Sequence, residues 1–374
     1  MAALGWAATH KAYLIYNIGT GTATQSATLK AEKTMNKKQR MDKKHWSRLA
    51  GCMAAALLLA TGCIDEDLSK CGVDYAIEYQ LELSLTLETE LNEQLTTPAE
   101  QELANEIRAN LENVMTNRAR VMDLSFFHGS SGELASHQQS RPNASQVSTT
   151  LYMKPGNYHN IALAATNEEE VVSINNSASY NNIQLRHADA DTIDAHSSAI
   201  YMGYEYLEQE ARSRQFHVTL YMQNAVPVLV VNRNNSPATA VAAYTRRTAS
   251  TLMCADSIFV HDNPAVVRTN RTEAAGLTAF HTVCFPSADT PTTRADDDPA
   301  EADGSIWEMD LYTQLPDGKY VKNILYLKEP LQAGSMKVIK VKLDDEGRVT
   351  TDNPEVGVSV ELDWKPGGDF DVEI

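Results

Sequence analysis

The chain of 374 residues carries 32 Lys+Arg against 49 Asp+Glu, a formal charge of −17, with 43% hydrophobic and 22% charged residues. That balance fits a globular protein with a sizeable core, long enough for two domains of ordinary size. It speaks against a basic nucleic-acid binder, and neither nucleic acid nor anionic lipid headgroups are expected as partners.

The N-terminal region has the pattern of an export signal. Lys37, Lys38, Arg40, Lys43, Lys44 and Arg48 crowd one short stretch, and residues 49–62 then contain no charge and include Ala54-Ala55-Ala56-Leu57-Leu58-Leu59. A positive segment followed by a short apolar run reads as a signal peptide. The run is shorter than the roughly 20 residues a membrane-spanning helix needs. It ends in Leu59-Ala60-Thr61-Gly62-Cys63, which is similar to a lipobox. Small residues there admit the export peptidase, so cleavage is expected between Gly62 and Cys63, with a diacylglycerol on the Cys63 sulfur. The expected organisation is a non-native extension over 1–34, a lipoprotein signal peptide over 35–62 and an acidic tether over 63–72, which opens Cys63-Ile64-Asp65-Glu66-Asp67. A lipid-anchored protein follows from it, and the acidic cluster behind Cys63 resembles the surface-export signal of Bacteroidetes lipoproteins, which implies a place on the outer membrane exposed at the cell surface. Residues 1–62 hold 9 Lys+Arg and 2 Asp+Glu, so the remainder carries a formal charge of −24.

Ile77, Tyr79, Leu81, Leu83, Leu85 and Leu87 alternate with polar residues, which predicts a long half-buried strand over 77–87. Leu103, Ile107, Leu111 and Val114 recur at helical spacing behind Pro98, predicting one amphipathic helix over 98–117. Alternation then returns at Met122, Leu124 and Phe126, with Gly129-Ser130-Ser131-Gly132 as a turn. Pro155-Gly156-Asn157-Tyr158 reads as a further turn, and the polar stretch over 167–182 as a long loop. Later strands follow around Trp307, Leu325, Ile339 and Val358, and Asp344-Asp345-Glu346-Gly347 signals a hairpin. Many short strands with turn residues between them predict a mainly β chain of two tandem β-sandwich domains, 73–214 and 215–374.

Chemistry is sparse. The chain has no G-x-S-x-G, P-loop, H-E-x-x-H or C-x-x-C pattern, so neither catalytic residues, nor a metal site, nor a cofactor is expected. Asp296-Asp297-Asp298 reads as part of a solvated acidic loop, and His281 with Cys284 as packing residues. Of the cysteines left after processing and lipidation, a Cys254–Cys284 disulfide and buried free thiols are both open. Tyr201, Tyr204 and Tyr206 form one tyrosine cluster whose spacing fits one strand face.

Several of these pieces coincide in one family. Cys63-Ile64-Asp65-Glu66-Asp67-Leu68-Ser69-Lys70-Cys71 resembles the lipidated opening of fimbrial anchor proteins of the Bacteroidetes fimbrillin family. Asp123-Leu124-Ser125-Phe126-Phe127, Leu151-Tyr152-Met153-Lys154-Pro155-Gly156-Asn157-Tyr158 and the closing Val358-Ser359-Val360-Glu361-Leu362-Asp363-Trp364 are similar to later family motifs. The resemblance implies two transthyretin-like β-sandwiches and a fimbrial anchor or minor subunit. Its partners would be other fimbrial subunits, bound by β-strand complementation. Under that resemblance the strand over 77–87 is the donor or edge strand, and Arg118 and Arg120 are candidate protease-processing sites. A surface adhesin that binds host or bacterial glycans or proteins on the same scaffold is the alternative, with the tyrosine cluster as its discriminating feature.

Overall fold

The computed structural model describes residues 73–84, 91–167, 172–175, 178–187, 190–261, 265–291 and 304–364. The extension, the signal peptide, Gly62, Cys63, the acidic tether, Leu85, Leu87 and the Asp296–Asp298 loop lie outside them.

The first sheet has seven strands. In spatial order they are β3 (Leu134–Ser140), β2 (Val121–His128), β5 (Gly156–Ala165), β9 (Ile200–Gln209), β10 (Arg214–Met222), β1 (Tyr75–Ser84) and β4 (Gln146–Met153). Alternation drives β1 as expected: Ile77, Tyr79, Leu81 and Leu83 are buried, while Glu78, Gln80 and Glu82 are exposed. The buried face does not pack on a separate layer. Tyr79 meets Phe126 of β2 edge to face at 5.9 Å, although β2 stands four places from β1 in the sheet. The sheet is therefore rolled over its own apolar face, and an isolated bridge between Ala119 and Ala144 fastens the roll. Rolling demands close strand approach. A Cβ on Gly203 of β9 would sit 2.6 Å from the Thr219 carbonyl oxygen, so only glycine lets β9 lie against β10 here.

Two further sheets form a sandwich. One orders β16 (Asn270–Ala274), β17 (Leu277–His281), β11 (Val226–Asn232), β20 (Met336–Leu343) and β21 (Val349–Thr350). The other orders β22 (Val356–Trp364), β19 (Tyr320–Leu327), β18 (Trp307–Gln314), β12 (Thr239–Thr248), β15 (Ala265–Arg268) and β8 (Thr192–Ile193). Leu229, Val231, Phe280, Ile339 and Val341 pack there against Trp307, Met309, Leu311 and Leu325. The remaining face of the five-stranded sheet, through Val226, Val228 and Val230, meets two helices, α1 (Leu91–Gln94) and α2 (Pro98–Leu111). This explains the unbroken apolar run of β11: a strand covered on both faces has no polar side. The predicted turn closes β20 onto β21, with Gly347 at φ +74° and Thr313 Oγ1 at 2.9 Å from where a Cβ would stand.

Helix α2 starts in a capping box. Thr97 Oγ1 accepts from the Glu100 amide at 3.3 Å and Glu100 Oε2 from the Thr97 amide at 2.9 Å, which satisfies two orphan donors. The helix stops at Leu111, short of the expected 117.

Finally, a small sheet of β14 (Ile258–Val260), β13 (Thr251–Met253), β7 (Gln184–His187) and β6 (Val172–Asn175) covers part of the outer face of the first sheet. Two expectations change. The stretch over 167–182 is not a plain loop, because β6 and a turn of 3-10 helix at Tyr180–Asn182 lie within it. Strand β10 pairs with β1 and β9, so residues 214–222 go with the N-terminal sheet rather than with a domain starting at 215. The mainly β architecture with several packed sheets agrees with the β-sandwich class.

Candidate functional site

Two features matter for interaction: the seat of β1 and an exposed aromatic patch. Strand β1 runs parallel to β10 from Ile77↔Arg214 to Ser84↔Tyr221 and antiparallel to β4 from Tyr75↔Met153 to Glu82↔Gln146. Having a partner on each side, it is not the edge strand that was expected. The edge position was implied by the family resemblance, and the alternation itself equally suits an interior strand of a sheet whose other face is solvated. Tyr79 locks it. Its hydroxyl donates to Asn160 Oδ1 at 2.7 Å, and Asn160 Nδ2 donates to the Ser125 carbonyl at 3.1 Å, all buried. Burial raises the Tyr79 pKa well above that of free tyrosine, so this hydroxyl keeps its proton and remains a donor.

Arg118 and Arg120 lie on the segment that joins α2 to β2, and both are exposed. Between them Ala119 is buried and bridges Ala144, and the Arg120 amide donates to the Ala165 carbonyl at 2.8 Å. A protease would therefore meet free side chains on a pinned backbone.

Cys254 and Cys284 are free, and the alternative of a disulfide between them is not realised. The physical reason is placement. Cys254 packs under the small sheet with Leu185 and Leu252, while Cys284 packs in the sandwich core with Leu229 and Phe280. Burial pushes the Cys254 thiol up to about 12 and raises Cys284 as well. Alkylation mapped by peptide mass is expected to leave both unlabelled in the folded protein and to label both in denaturant. His281 and Cys284 do not converge: His281 Nε2 bonds Thr272 Oγ1 at 3.1 Å, and Thr272 Oγ1 accepts from Asn110 of α2 at 2.8 Å.

Sequence reasoning missed a buried histidine pair. His187 and His196 meet at 2.8 Å through their Nε2 atoms, His196 Nδ1 bonds Asn224 Nδ2 at 2.8 Å, and Phe285 stacks on His187 at 4.9 Å. Desolvation holds His187 near 4 and lowers His196 well below its ordinary value, so both are neutral near pH 7. Among the described residues no three His, Cys, Asp or Glu side chains cluster to hold a metal.

The tyrosine cluster divides. Tyr201 points into the rolled core and donates to the Thr116 carbonyl at 2.7 Å, whereas Tyr204 and Tyr206 stand on the outer face, 39% and 48% exposed. Two residues from other segments join them. The His159 ring of β5 stacks on Tyr180 at 4.4 Å and on Tyr204 at 6.0 Å, and Tyr206 meets it edge-on at 5.4 Å. His159 Nδ1 bonds the Tyr204 hydroxyl at 2.8 Å, and the Tyr180 hydroxyl donates to the Ala255 carbonyl at 3.1 Å.

No protein-family model matches the chain, and no curated protein matches it in sequence. Solved structures do show likenesses. A candidate adhesin from Bacteroides ovatus is 10% identical with a TM-score of 0.45, over 79% of this chain and 98% of its own. The fimbrial anchor protein Mfa2 from Porphyromonas gingivalis is 10% identical with a TM-score of 0.43, over 77% and 99%. Candidate polysaccharide-binding proteins from Bacteroides thetaiotaomicron are 10% identical with a TM-score of 0.42, over 75% and 97%.

Proposed function

We propose that the protein is a surface subunit of a fimbria. It is an anchor or minor structural subunit, held to the outer membrane by lipid on Cys63, and it tethers or terminates the fibre by β-strand complementation. Two transthyretin-like β-sandwich domains in tandem form the body of this reading.

The observation that carries it is the seat of β1. A segment near the start of the mature chain completes the first sheet through two hydrogen-bonded ladders and fills its core with Ile77, Tyr79, Leu81 and Leu83. Strand addition uses the same interaction: backbone ladders supply affinity, and alternate side chains fill pockets. With β1 in place no groove is open there, which suits a subunit that ends a fibre. Cutting at Arg118 or Arg120 would sever α2 as well as β1 from the rest, and α2 buries Leu103, Ile107 and Leu111 against the five-stranded sheet. Such a cut would strip two cores at once, which favours retention and hence the anchor.

Mass spectrometry of membrane-extracted protein, with sheared surface fibres measured beside it, tests this reading. The expected result is an acylated peptide beginning at Cys63 in a chain that still includes β1, recovered together with a fibre subunit. A mature N-terminus just after Arg118 or Arg120, found in the fibres, would replace the anchor by a polymerised subunit.

A further inference from the structure

We propose that His159, Tyr180, Tyr204 and Tyr206 form a binding site for the sugar rings of an uncharged glycan. The site lies where the small sheet stops covering the outer face of the rolled sheet. Phe127 and Tyr180, rings 5.9 Å apart, mark that margin. Beyond it the face is open, and it holds unburied aromatics. Of the large hydrophobic side chains exposed among the described residues, Tyr152, Tyr204, Tyr206 and Tyr221 all stand on this one face. By contrast, Trp307, Tyr79, Tyr201 and Phe126 are almost wholly buried.

Geometry and chemistry both indicate saccharide. The C–H groups on one side of a pyranose ring are electropositive and lie flat on the electron-rich face of an aromatic ring. Here the rings are held ready: Tyr204 is tied to His159 and Tyr180 to the Ala255 carbonyl, so few rotamers remain to be frozen on binding. Around them, the outward positions of β9, β10, β1 and β4 offer Gln, His, Thr, Ser and Glu to sugar hydroxyls. Not one Lys or Arg occupies those positions. A site for uronate, sulfate or phosphate needs a cation, and Glu78, Glu82 and Glu208 would repel such groups. A protein-docking hot spot would combine aromatic anchors with Arg and an apolar centre, and both are missing from the open face.

Affinity electrophoresis of the full chain tests the site, in gels containing yeast α-mannan, barley β-glucan or galactomannan, with polygalacturonate and heparin as anionic counterparts. At least one neutral polysaccharide is expected to retard the protein. Tyr206→Ala should weaken that retardation by roughly tenfold or more, while Tyr206→Phe, which keeps the ring, preserves it. Because Tyr206 is half exposed, the alanine variant should melt as the parent does. Four results would overturn the proposal: no retardation by any neutral polysaccharide, retardation by the anionic ones alone, an unchanged Tyr206→Ala, or a concentration-dependent dimer that Tyr206→Ala dissolves. None of these bears on acylation at Cys63 or on fibre attachment, so this site and the fimbrial reading stand or fall separately.

Discussion

Truncating Tyr79 to alanine is expected to remove about 4 kcal/mol of folding stability, at the upper end of single-residue effects. The side chain is wholly buried between Phe126 and Phe216, at ring distances of 5.9 and 5.6 Å, and it joins β1 to strands on the far side of the roll. Alanine leaves a ring-sized cavity and takes the donor from Asn160 Oδ1. Tyr79→Phe isolates the second effect and should cost about 1–2 kcal/mol, because a buried acceptor loses its partner while the ring stays packed. Denaturation midpoints in urea, followed by circular dichroism, give both values. Limited proteolysis of Tyr79→Ala should also expose β1 before the sandwich. A loss below about 1 kcal/mol for the alanine variant would mean that β1 is not locked by this residue.

Acid should destabilise the protein through three buried histidines. Desolvation keeps His187 and His281 near 4 in the folded state, below the ordinary 6.5, and lowers His196 well below that value. Between those pH values the unfolded chain binds protons that the folded chain refuses, so stability falls as pH drops from 6.5 towards 4. Above 6.5 both states are neutral at these sites and the effect vanishes. For His281 alone the loss is on the order of 3 kcal/mol. His187 and His196 share one contact and should titrate as a unit. Melting temperatures at pH 7 and pH 4.5 check the expectation. His281→Leu should narrow the gap between them, and an equally steep fall in that variant would clear His281 of the effect.

Local structure was legible where one periodicity ruled a segment. The alternation from Ile77 to Leu83 announced β1, the helical spacing of Leu103, Ile107 and Leu111 behind Pro98 announced α2, and Asp344 to Gly347 announced a turn. Strand order was not legible, because an alternating strand carries the same pattern at an edge and in the middle of a half-solvated sheet. The parity of the tyrosines overturns the single strand face expected of them: Tyr201 and Tyr204 are three apart, an odd spacing that sends them to opposite faces. His159 and Tyr180 could not be joined to Tyr204 by any local rule, since they come from different strands and a short helical turn. The same holds for His187 and His196, which look dispersed until the chain folds them around Phe285.

The interior position of β1, between β10 and β4, also bears on how the chain reaches its fold. Gln215 bonds Glu78 across 137 sequence positions, so the parallel ladder cannot form until synthesis has passed β10, beyond the midpoint of the chain. Until then the first strand waits with Ile77, Tyr79, Leu81 and Leu83 unburied, and closing so long a loop carries a large entropic cost. Non-local parallel pairing of this kind is slow and leaves an aggregation-prone segment exposed meanwhile. The roll therefore closes late in folding, and refolding should be limited by capture of its first strand, with the locally connected β2–β3 hairpin already formed.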